Sequence, residues 1–365
     1  MRRRASFRHF DKLLFITPIL IFLIGILSIY SASFKAGQSF DQSLATRQLL
    51  WMAVGILGIF LTVRADYFKL RDVAWPLYGF SLFLLVIVLF MPARLGAHRW
   101  IPLGAGFNVQ PSELAKFAVI LALANYFANN KIEFSSGAKR LAPFFIVGVP
   151  FLLILKEPDL GTGLSLVPVL LTMLYLWGMK KRHLLLIIIA GILFTPIGFH
   201  FLKEYQKQRL MVFVNPSADP LGAGYTIIQS KIAIGSGGLY GKGFLSGTQN
   251  QLHFVPERHT DFIFAVVAEE GGFIASIAIL MLFWIIVKKG FIISGQTPDP
   301  FGSQLACGIS ALIGFQSVVN LGMTMGLLPV VGVPLPLVSY GGTSVVVTML
   351  SIGLLLNIRM RRHLL

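Results

Sequence analysis

Long apolar runs recur from one end of the chain to the other, and they limit the fold more than any other feature of the sequence. Hydrophobic residues make up 55% of the 365 positions, and ten such runs cover residues 13–30, 49–63, 75–91, 114–127, 141–155, 164–177, 184–202, 262–287, 305–327 and 345–358. An α-helix needs about 20 apolar residues to cross the hydrocarbon core of a bilayer. The sequence therefore predicts an all-α integral membrane protein, in which ten transmembrane helices form one polytopic domain, residues 1–365.

The distribution of basic residues predicts how these helices are oriented. Lysine and arginine outnumber the acids by 31 to 15, for a formal net charge of +16, and they concentrate in alternate loops, at residues 2–12, 69–71, 131–140, 180–182, 288–289 and 359–362. The positive-inside rule puts these loops and both termini in the cytoplasm. Because the charge follows the topology, it indicates contact with membrane lipids and no nucleic-acid partner.

Four segments are then left on the outer side, at residues 92–113, 156–163, 203–261 and 328–343. The loop 203–261, between helices 7 and 8, is much the longest. Its stretches 208–214 and 225–234 have the apolar spacing of helices that lie along the membrane interface. Since the inner loops are short, function is expected at the outer face.

The long outer loop ends in a polar stretch whose last residue, Asp261, directly precedes the apolar run of helix 8. Two roles are open for this aspartate. It could cap the helix by accepting backbone N–H bonds, which would lower its pKa. Alternatively, burial beside apolar residues would raise its pKa and make it a general base at the outer leaflet.

Other acids lie where a membrane makes charge costly. Glu269 and Glu270 are inside helix 8 on different faces, so one could line a cavity while the other pairs with a basic residue elsewhere. Glu113 and Lys116 are three residues apart at the start of helix 4, which predicts either a local salt bridge or a lysine presented to an anionic headgroup. Asp159 is expected to cap helix 6 or to face the cavity.

Cationic residues also gather in the outer segments, namely Arg94, Arg99, Lys203, Lys207, Arg209, Lys231, Lys242 and Arg258. Arginine and lysine bind phosphate well, so a lipid pyrophosphate is the anion that suits this depth, with ordinary anionic headgroups as the simpler alternative. The glycine-rich run 235–247 lacks the spacing of a nucleotide-binding P-loop. The scattered histidines and the single cysteine, Cys307, predict neither a zinc site nor an internal disulfide.

Several outer motifs together resemble those of the SEDS family (shape, elongation, division and sporulation). They are GAHRW at 96–100, QPSELAK at 110–116, EPDLGTG at 157–163, YQKQR at 205–209, DPLGAGYTIIQSKIAIGSGGLYGKG at 219–243, GTQNQLHFVPERHTDFIFAVVAEE at 247–270 and LPVVGVPLPLVSYGGTS at 328–344. The motif PERHTDF, with its arginine, resembles the form of this motif in the elongation branch of that family.

The resemblance implies a ten-helix peptidoglycan glycosyltransferase of the bacterial cytoplasmic (inner) membrane, with its active site facing outward. Its substrate would be lipid II, a disaccharide-pentapeptide on undecaprenyl pyrophosphate, which it would polymerise during cell elongation. Its partners would be a class B penicillin-binding protein, which cross-links the strands, and the elongation machinery. No cofactor is required by the sequence, although a divalent cation, Mg²⁺ or Mn²⁺, could share the pyrophosphate.

The resemblance also assigns roles to residues. The aspartate of the HTDF motif is needed for polymerisation in the family, which identifies Asp261 as the general base. Fixed cations would stabilise the pyrophosphate leaving group. The expected substrate-binding residues are Arg99, Glu113, Lys116, Asp159, Arg209, Lys231, Lys242, Glu257, Arg258 and Glu269. Two alternative functions stay open, a lipid II flippase or transporter and a non-catalytic scaffold of the cell-wall synthesis complex.

Overall fold

The computed structural model describes residues 10–34, 44–92, 99–104, 107–130, 137–200, 204–215, 219 and 222–362. Two of the outer cations, Arg94 and Lys203, lie outside the described residues, and so do the basic residues before position 10 and at position 131.

Ten long helices account for most of the described chain, and each contains most of one predicted span: α1 Lys12–Ser33, α2 Leu44–Arg64, α3 Leu70–Val88, α4 Pro111–Asn129, α5 Gly137–Lys156, α6 Leu160–Trp177, α7 Lys181–His200, α11 Ile263–Gln296, α12 Pro300–Thr324 and α13 Gly342–Arg361. Between α7 and α11 lie three shorter helices, α8 Glu204–Val214, α9 Ala223–Ser236 and α10 Thr248–Gln251. The first two contain the stretches for which the sequence predicts helices. One antiparallel hairpin, β1 Ile101–Gly104 with β2 Phe107–Val109, departs from a purely helical fold.

Seven helical segments of the described chain are long and apolar enough to cross a membrane: Lys12–Ser33, Leu44–Arg64, Tyr67–Val88, Leu160–Trp177, Ile263–Gln296, Pro300–Thr324 and Gly342–Arg361. The protein is therefore a multi-pass membrane protein built from helices, as the sequence predicts. A total of ten crossings and two cytoplasmic termini stay predictions. Following the predicted orientation, we call the end of the bundle that carries residues 99–104, 107–110, 157–159 and 325–341 the outer end.

Helix α12 is the most enclosed of these segments. In its most apolar stretch 83% of the residues are buried, against 22% for Tyr67–Val88. It contacts α4, α6 and α11. Small residues allow this close approach: a Cβ added at Gly308 would lie 2.7 Å from Ile120 on α4 and 2.8 Å from Met173 on α6. Packing of this kind is typical of helix interfaces in membranes.

The segment between α12 and α13 turns back into the bundle instead of covering its end. A Cβ added at Gly25 of α1 would lie 2.7 Å from the Val338 Cα. At 1.5 Å per residue, Gly25 lies about 12 Å along the helix axis from Ser33, the last residue of α1, so Val338 lies well inside the bundle. Non-helical backbone at such depth needs partners within the protein. Gln48 of α2 supplies two of them, since its Nε2 donates to the Ser339 carbonyl at 3.1 Å and its Oε1 accepts from the Gly341 N–H at 3.2 Å.

The glycine-rich run of the outer loop packs against a kink in α11. At Gly272 the backbone has φ +66° and ψ −161°, which favours glycine,. The N–H groups of Lys242 and Gly243 donate to the carbonyls of Glu269 and Glu270, both at 3.0 Å. The Phe273 N–H, in turn, donates to the Gly238 carbonyl at 2.9 Å. These glycines therefore serve a close backbone approach between the loop and the helix.

Candidate active site

Asp261 does not cap helix α11, so the capping role considered for it is wrong. The cap position belongs to Phe262, which makes no side-chain cap bond. Within the described chain the carboxylate of Asp261 accepts no hydrogen bond, while its residue stays partly exposed to solvent. No described neighbour therefore engages the carboxylate in a hydrogen bond.

The backbone around Asp261 is fixed even though its carboxylate is not. The Glu257 carbonyl accepts from the N–H groups of Thr260 at 3.1 Å and Phe262 at 3.2 Å, and Glu257 itself has φ +48°. This tight turn presents Asp261 at the entrance of α11, beside the segment that turns back between α12 and α13.

The surroundings of Asp261 raise the pKa of its carboxyl to about 6. Burial is the largest cause, because it penalises the charged form. The positive charges of Arg209 and Arg99 oppose this effect, whereas the carboxylates of Glu257 and Asp159 add to it. A carboxyl with this pKa is still mostly ionised at neutral pH and is a stronger base than an ordinary aspartate.

Gly332, in the segment between α12 and α13, lies between Asp261 and Arg209. A Cβ added there would lie 3.5 Å from the Arg209 Nη1 and 3.5 Å from the Asp261 Oδ2. The two charged groups are thus neighbours, but they are not within the 4.0 Å of an ion pair.

Arg99 and Arg209 form a cationic wall next to Asp261. Arg99 donates through Nε to the Glu157 carbonyl at 3.4 Å and through Nη2 to the Pro158 carbonyl. The Tyr205 hydroxyl donates to the same Pro158 carbonyl at 2.7 Å, and the Arg209 guanidinium lies 5.7 Å from the centre of the Tyr205 ring. These side chains line a cleft at the outer end, together with Leu160, Gln206, Leu210, Val330 and Val331.

Glu157 is a residue of this wall that the sequence did not indicate as a site residue. Its side chain is fully buried, and neither carboxyl oxygen has a hydrogen-bond partner among the residues that the structure describes. Burial, and next to it the charge of Asp159, raises the pKa of Glu157 to about 9, against the opposing charge of Arg99. It is therefore protonated and uncharged at neutral pH. The EPDLG motif alone does not distinguish this buried acid from Asp159, which caps a helix.

Asp159 has the capping role that the sequence predicts. Its Oδ1 accepts from the Thr162 N–H at 3.3 Å, and its Oδ2 accepts from the Thr162 hydroxyl at 2.9 Å and from the Gln110 Nε2 at 3.2 Å. Gln110 immediately precedes α4, so this bond links the start of α4 to the start of α6.

Glu113 and Lys116 form the local salt bridge predicted from their spacing, with 2.6 Å between Nζ and Oε1 and both side chains buried. Nearly complete burial leaves this pair little access to a substrate. A role in binding substrate stays a prediction for both residues.

Arg258 ties the polar stretch to the end of α1, since its Nε donates to the Ala32 carbonyl at 2.7 Å. Glu257 is exposed, and its Oε2 accepts from the Thr260 hydroxyl at 3.1 Å. Burial lowers the pKa of His259, so this imidazole is neutral near pH 7.

Glu269 and Lys242 pair with each other in a separate cluster of the outer loop, with 2.8 Å between Nζ and Oε1. Glu269 also accepts from the N–H groups of Gln249 at 2.9 Å and Asn250 at 3.1 Å. Glu269 thus holds α10 against α11, which is the pairing role considered for one of the two acids. Lys231 is exposed on α9 beside the turn at Gly326. Substrate binding by these three charged residues stays a prediction.

No group of three or more histidine, cysteine or acidic residues that could hold a metal ion occurs in the part of the chain that the structure describes.

Similarity to known proteins extends over nearly the whole chain. A family described as cell cycle protein FTSW_RODA_SPOVE matches residues 11–364. Peptidoglycan glycosyltransferase MrdB of Escherichia coli is 40% identical over 359 residues, which are 98% of this chain and 95% of that protein. Stage V sporulation protein E of Bacillus subtilis is 38% identical over 355 residues, which are 95% of this chain and 96% of that protein.

Solved structures share the fold, and two of them are similar over nearly the whole chain. A structure that describes the coordination of polymerization and crosslinking by a peptidoglycan synthase complex has a TM-score of 0.81 and 33% identity, covering 97% of this chain and 98% of that chain. The crystal structure of the rod shape determining protein RodA of Thermus thermophilus has a TM-score of 0.72 and 29% identity, with the same coverage, 97% and 98%. The chain therefore belongs to the SEDS family of peptidoglycan glycosyltransferases, which includes the FtsW, RodA and SpoVE proteins.

Proposed function

We propose that this chain polymerises lipid II into glycan strands at the outer face of the bacterial inner membrane, with Asp261 as the general base. One observation carries the proposal. The carboxylate of Asp261 has no hydrogen-bond partner among the described residues, has a pKa near 6, and lies beside the positive charges of Arg209 and Arg99.

The chemistry uses the Asp261 carboxylate and the two arginine cations, Arg99 and Arg209, together. Asp261 takes the proton of the acceptor's C4 hydroxyl as that oxygen forms a bond to the donor's anomeric carbon. The bond from this carbon to the pyrophosphate oxygen breaks, and the electron pair leaves with the pyrophosphate. Because the negative charge on this group grows in the transition state, Arg99 and Arg209 stabilise the transition state more than the bound substrate. A single displacement inverts an α-linked donor into a β-linked product.

The neutral state of Glu157 suits this arrangement. An ionised carboxylate at that position would offset the charge of Arg99, whereas the protonated acid leaves the charge available to the pyrophosphate,. Arg258, Lys231 and Lys242 belong to the proposal as further anion contacts.

The cellular role is part of the same proposal. The arginine of the PERHTDF motif supports a function in elongation, and the similarity to a chain studied in a peptidoglycan synthase complex supports a class B penicillin-binding protein as the partner. Restoration of rod shape in cells depleted of their elongation polymerase, without rescue of cells that lack the division polymerase, tests this role.

The decisive experiment measures polymerisation of lipid II by the purified full-length chain and by Asp261→Asn. The amide keeps the shape and removes the base, so glycan synthesis should be lost. The pH profile of the wild type should fall on its acid side with a midpoint near pH 6, because protonation of Asp261 removes the base,. Asp299→Asn is the matched control, since Asp299 caps α12 through a 2.8 Å bond from the Gly302 N–H, and asparagine also caps,.

Normal polymerisation by Asp261→Asn would contradict the proposal. Translocation of lipid II in vesicles that survives this substitution, without polymerisation by the wild type, would favour the flippase. Polymer made by this chain alone would exclude the scaffold. Loss of activity in a chelator, restored by Mg²⁺ or Mn²⁺, would show that a divalent cation takes part.

A further inference from the structure

Three consecutive backbone carbonyls at the candidate active site are each held by a donor from another part of the chain. The His259 carbonyl accepts from the Tyr340 N–H at 2.9 Å, and the Thr260 carbonyl accepts from the Ser339 hydroxyl at 2.7 Å. The Asp261 carbonyl accepts from the Asn320 Nδ2 at 3.0 Å. The backbone that carries the acid is therefore fixed from the side of α12 and of the segment that follows it.

Asn320 donates to two segments of the site from a single side chain. The same Nδ2 also donates to the Val333 carbonyl at 2.8 Å, so both of its hydrogens are used,. Val333 follows Gly332, the residue that lies between Asp261 and Arg209. One amide group thus sets the spacing between the acid and the segment that separates it from the arginine.

Asn320 also carries a free-energy cost at its position. It is fully buried in the most enclosed helix of the bundle, and within the described part of the chain its Oδ1 has no hydrogen-bond partner. A buried acceptor that stays unsatisfied costs free energy. The two bonds that its Nδ2 donates nevertheless join two stretches of active-site backbone.

We propose that Asn320 is a positioning residue for glycosyl transfer, which holds the Asp261 backbone and the Gly332–Val333 backbone at the spacing that the reaction needs. The inference rests on the proposed role of Asp261 as the base. A base that is displaced by about 1 Å from its reacting geometry can lose on the order of 10²-fold in rate while substrate still binds. Asn320 variants should therefore lose kcat and keep KM.

The chain offers a matched control for the loss of a buried asparagine. Asn357 on α13 is also fully buried, and its Nδ2 also donates to backbone carbonyls, those of Thr62, Val63 and Ala65, the last at 2.6 Å. Its Oδ1 likewise has no partner. Because Asn357 lies near the inner end of the bundle, its loss should affect stability without moving Asp261.

The test compares Asn320→Leu and Asn320→Ser with Asn357→Leu and Asn357→Ser in the full-length chain. Leucine removes both donor hydrogens and keeps the same branched arrangement of four side-chain heavy atoms, and serine keeps one donor but cannot bridge two carbonyls. We expect kcat for lipid II polymerisation to fall on the order of 10²-fold in the Asn320 variants, with KM nearly unchanged and kcat retained in the Asn357 variants. Thermal unfolding of all four variants measures the structural cost separately.

Three results would overturn the inference. They are wild-type kcat in folded Asn320 variants, equal losses of kcat in the Asn320 and Asn357 variants, and failure of both Asn320 variants to fold while the Asn357 variants fold. The proposed function fails in a different way, because Asp261→Asn would then remain active whatever the Asn320 variants do.

Discussion

Glu157 provides a quantitative test of the electrostatics of this site, through the substitution Glu157→Gln. Folding raises the pKa of this carboxyl from 4.5 to about 9. Between these values the folded chain holds one proton more than the unfolded chain, so the free energy of unfolding falls by about 1.4 kcal/mol for each pH unit. The loss amounts to about 3 kcal/mol at pH 7 and about 6 kcal/mol at pH 9.

Glutamine has nearly the same shape but does not titrate, so this pH dependence should be absent from the variant. The sign follows from the raised pKa: Glu157 carries no penalty below pH 4.5, and its penalty grows as the pH rises towards 9,. The variant should match the wild type at pH 4.5 and become progressively more stable than the wild type above it. Polymerisation near neutral pH should be retained, because the wild-type residue is already uncharged there.

The measurement is thermal unfolding of both chains in the same detergent, followed by circular dichroism between pH 4.5 and 9. Glu204→Gln is the control, since the side chain of Glu204 is 83% exposed and its removal should leave the pH dependence unchanged. Parallel curves for Glu157→Gln and the wild type over this range would refute the reasoning, because they would show that Glu157 is ionised in the folded chain.

Three further predictions follow from buried or constrained groups. Lys116→Met should lower stability by about 3–5 kcal/mol because Glu113 is left buried and unpaired; the double variant Glu113→Gln/Lys116→Met should recover most of that loss in the same unfolding assay. Asp261→Asn should raise the free energy of unfolding at pH 7 by up to about 3 kcal/mol, and the melting temperature with it, since folding raises the pKa of this acid from 3.8 to about 6,. A lower melting temperature would contradict the burial of its charge. Gly241→Ala should release the outer loop, measured as faster proteolysis between α9 and α10, because Gly241 has φ +80° and a Cβ there would collide with the Glu270 carbonyl.

Features that depend on residues close together in the chain were predictable from the sequence. The ten long helices follow from runs of apolar residues, because the period and length of a helix are local properties. The pairing of Glu113 with Lys116 and the capping of α6 by Asp159 also follow from spacings of three residues or fewer,. The position of Asp261 at the start of α11 belongs to the same class.

Whether Asp261 caps that helix or stays free could not be predicted from local sequence, because both arrangements suit an aspartate before an apolar run. Only the folded chain brings Arg99 and Arg209 to its carboxylate and buries Glu157 without a partner. Likewise, the segment after α12 enters the bundle to meet Asn320 and the Asp261 backbone. The sequence by itself determined the helices and the residues that could act. The tertiary structure decided which of them meet and which are charged, because distance and desolvation are set by residues far apart along the chain.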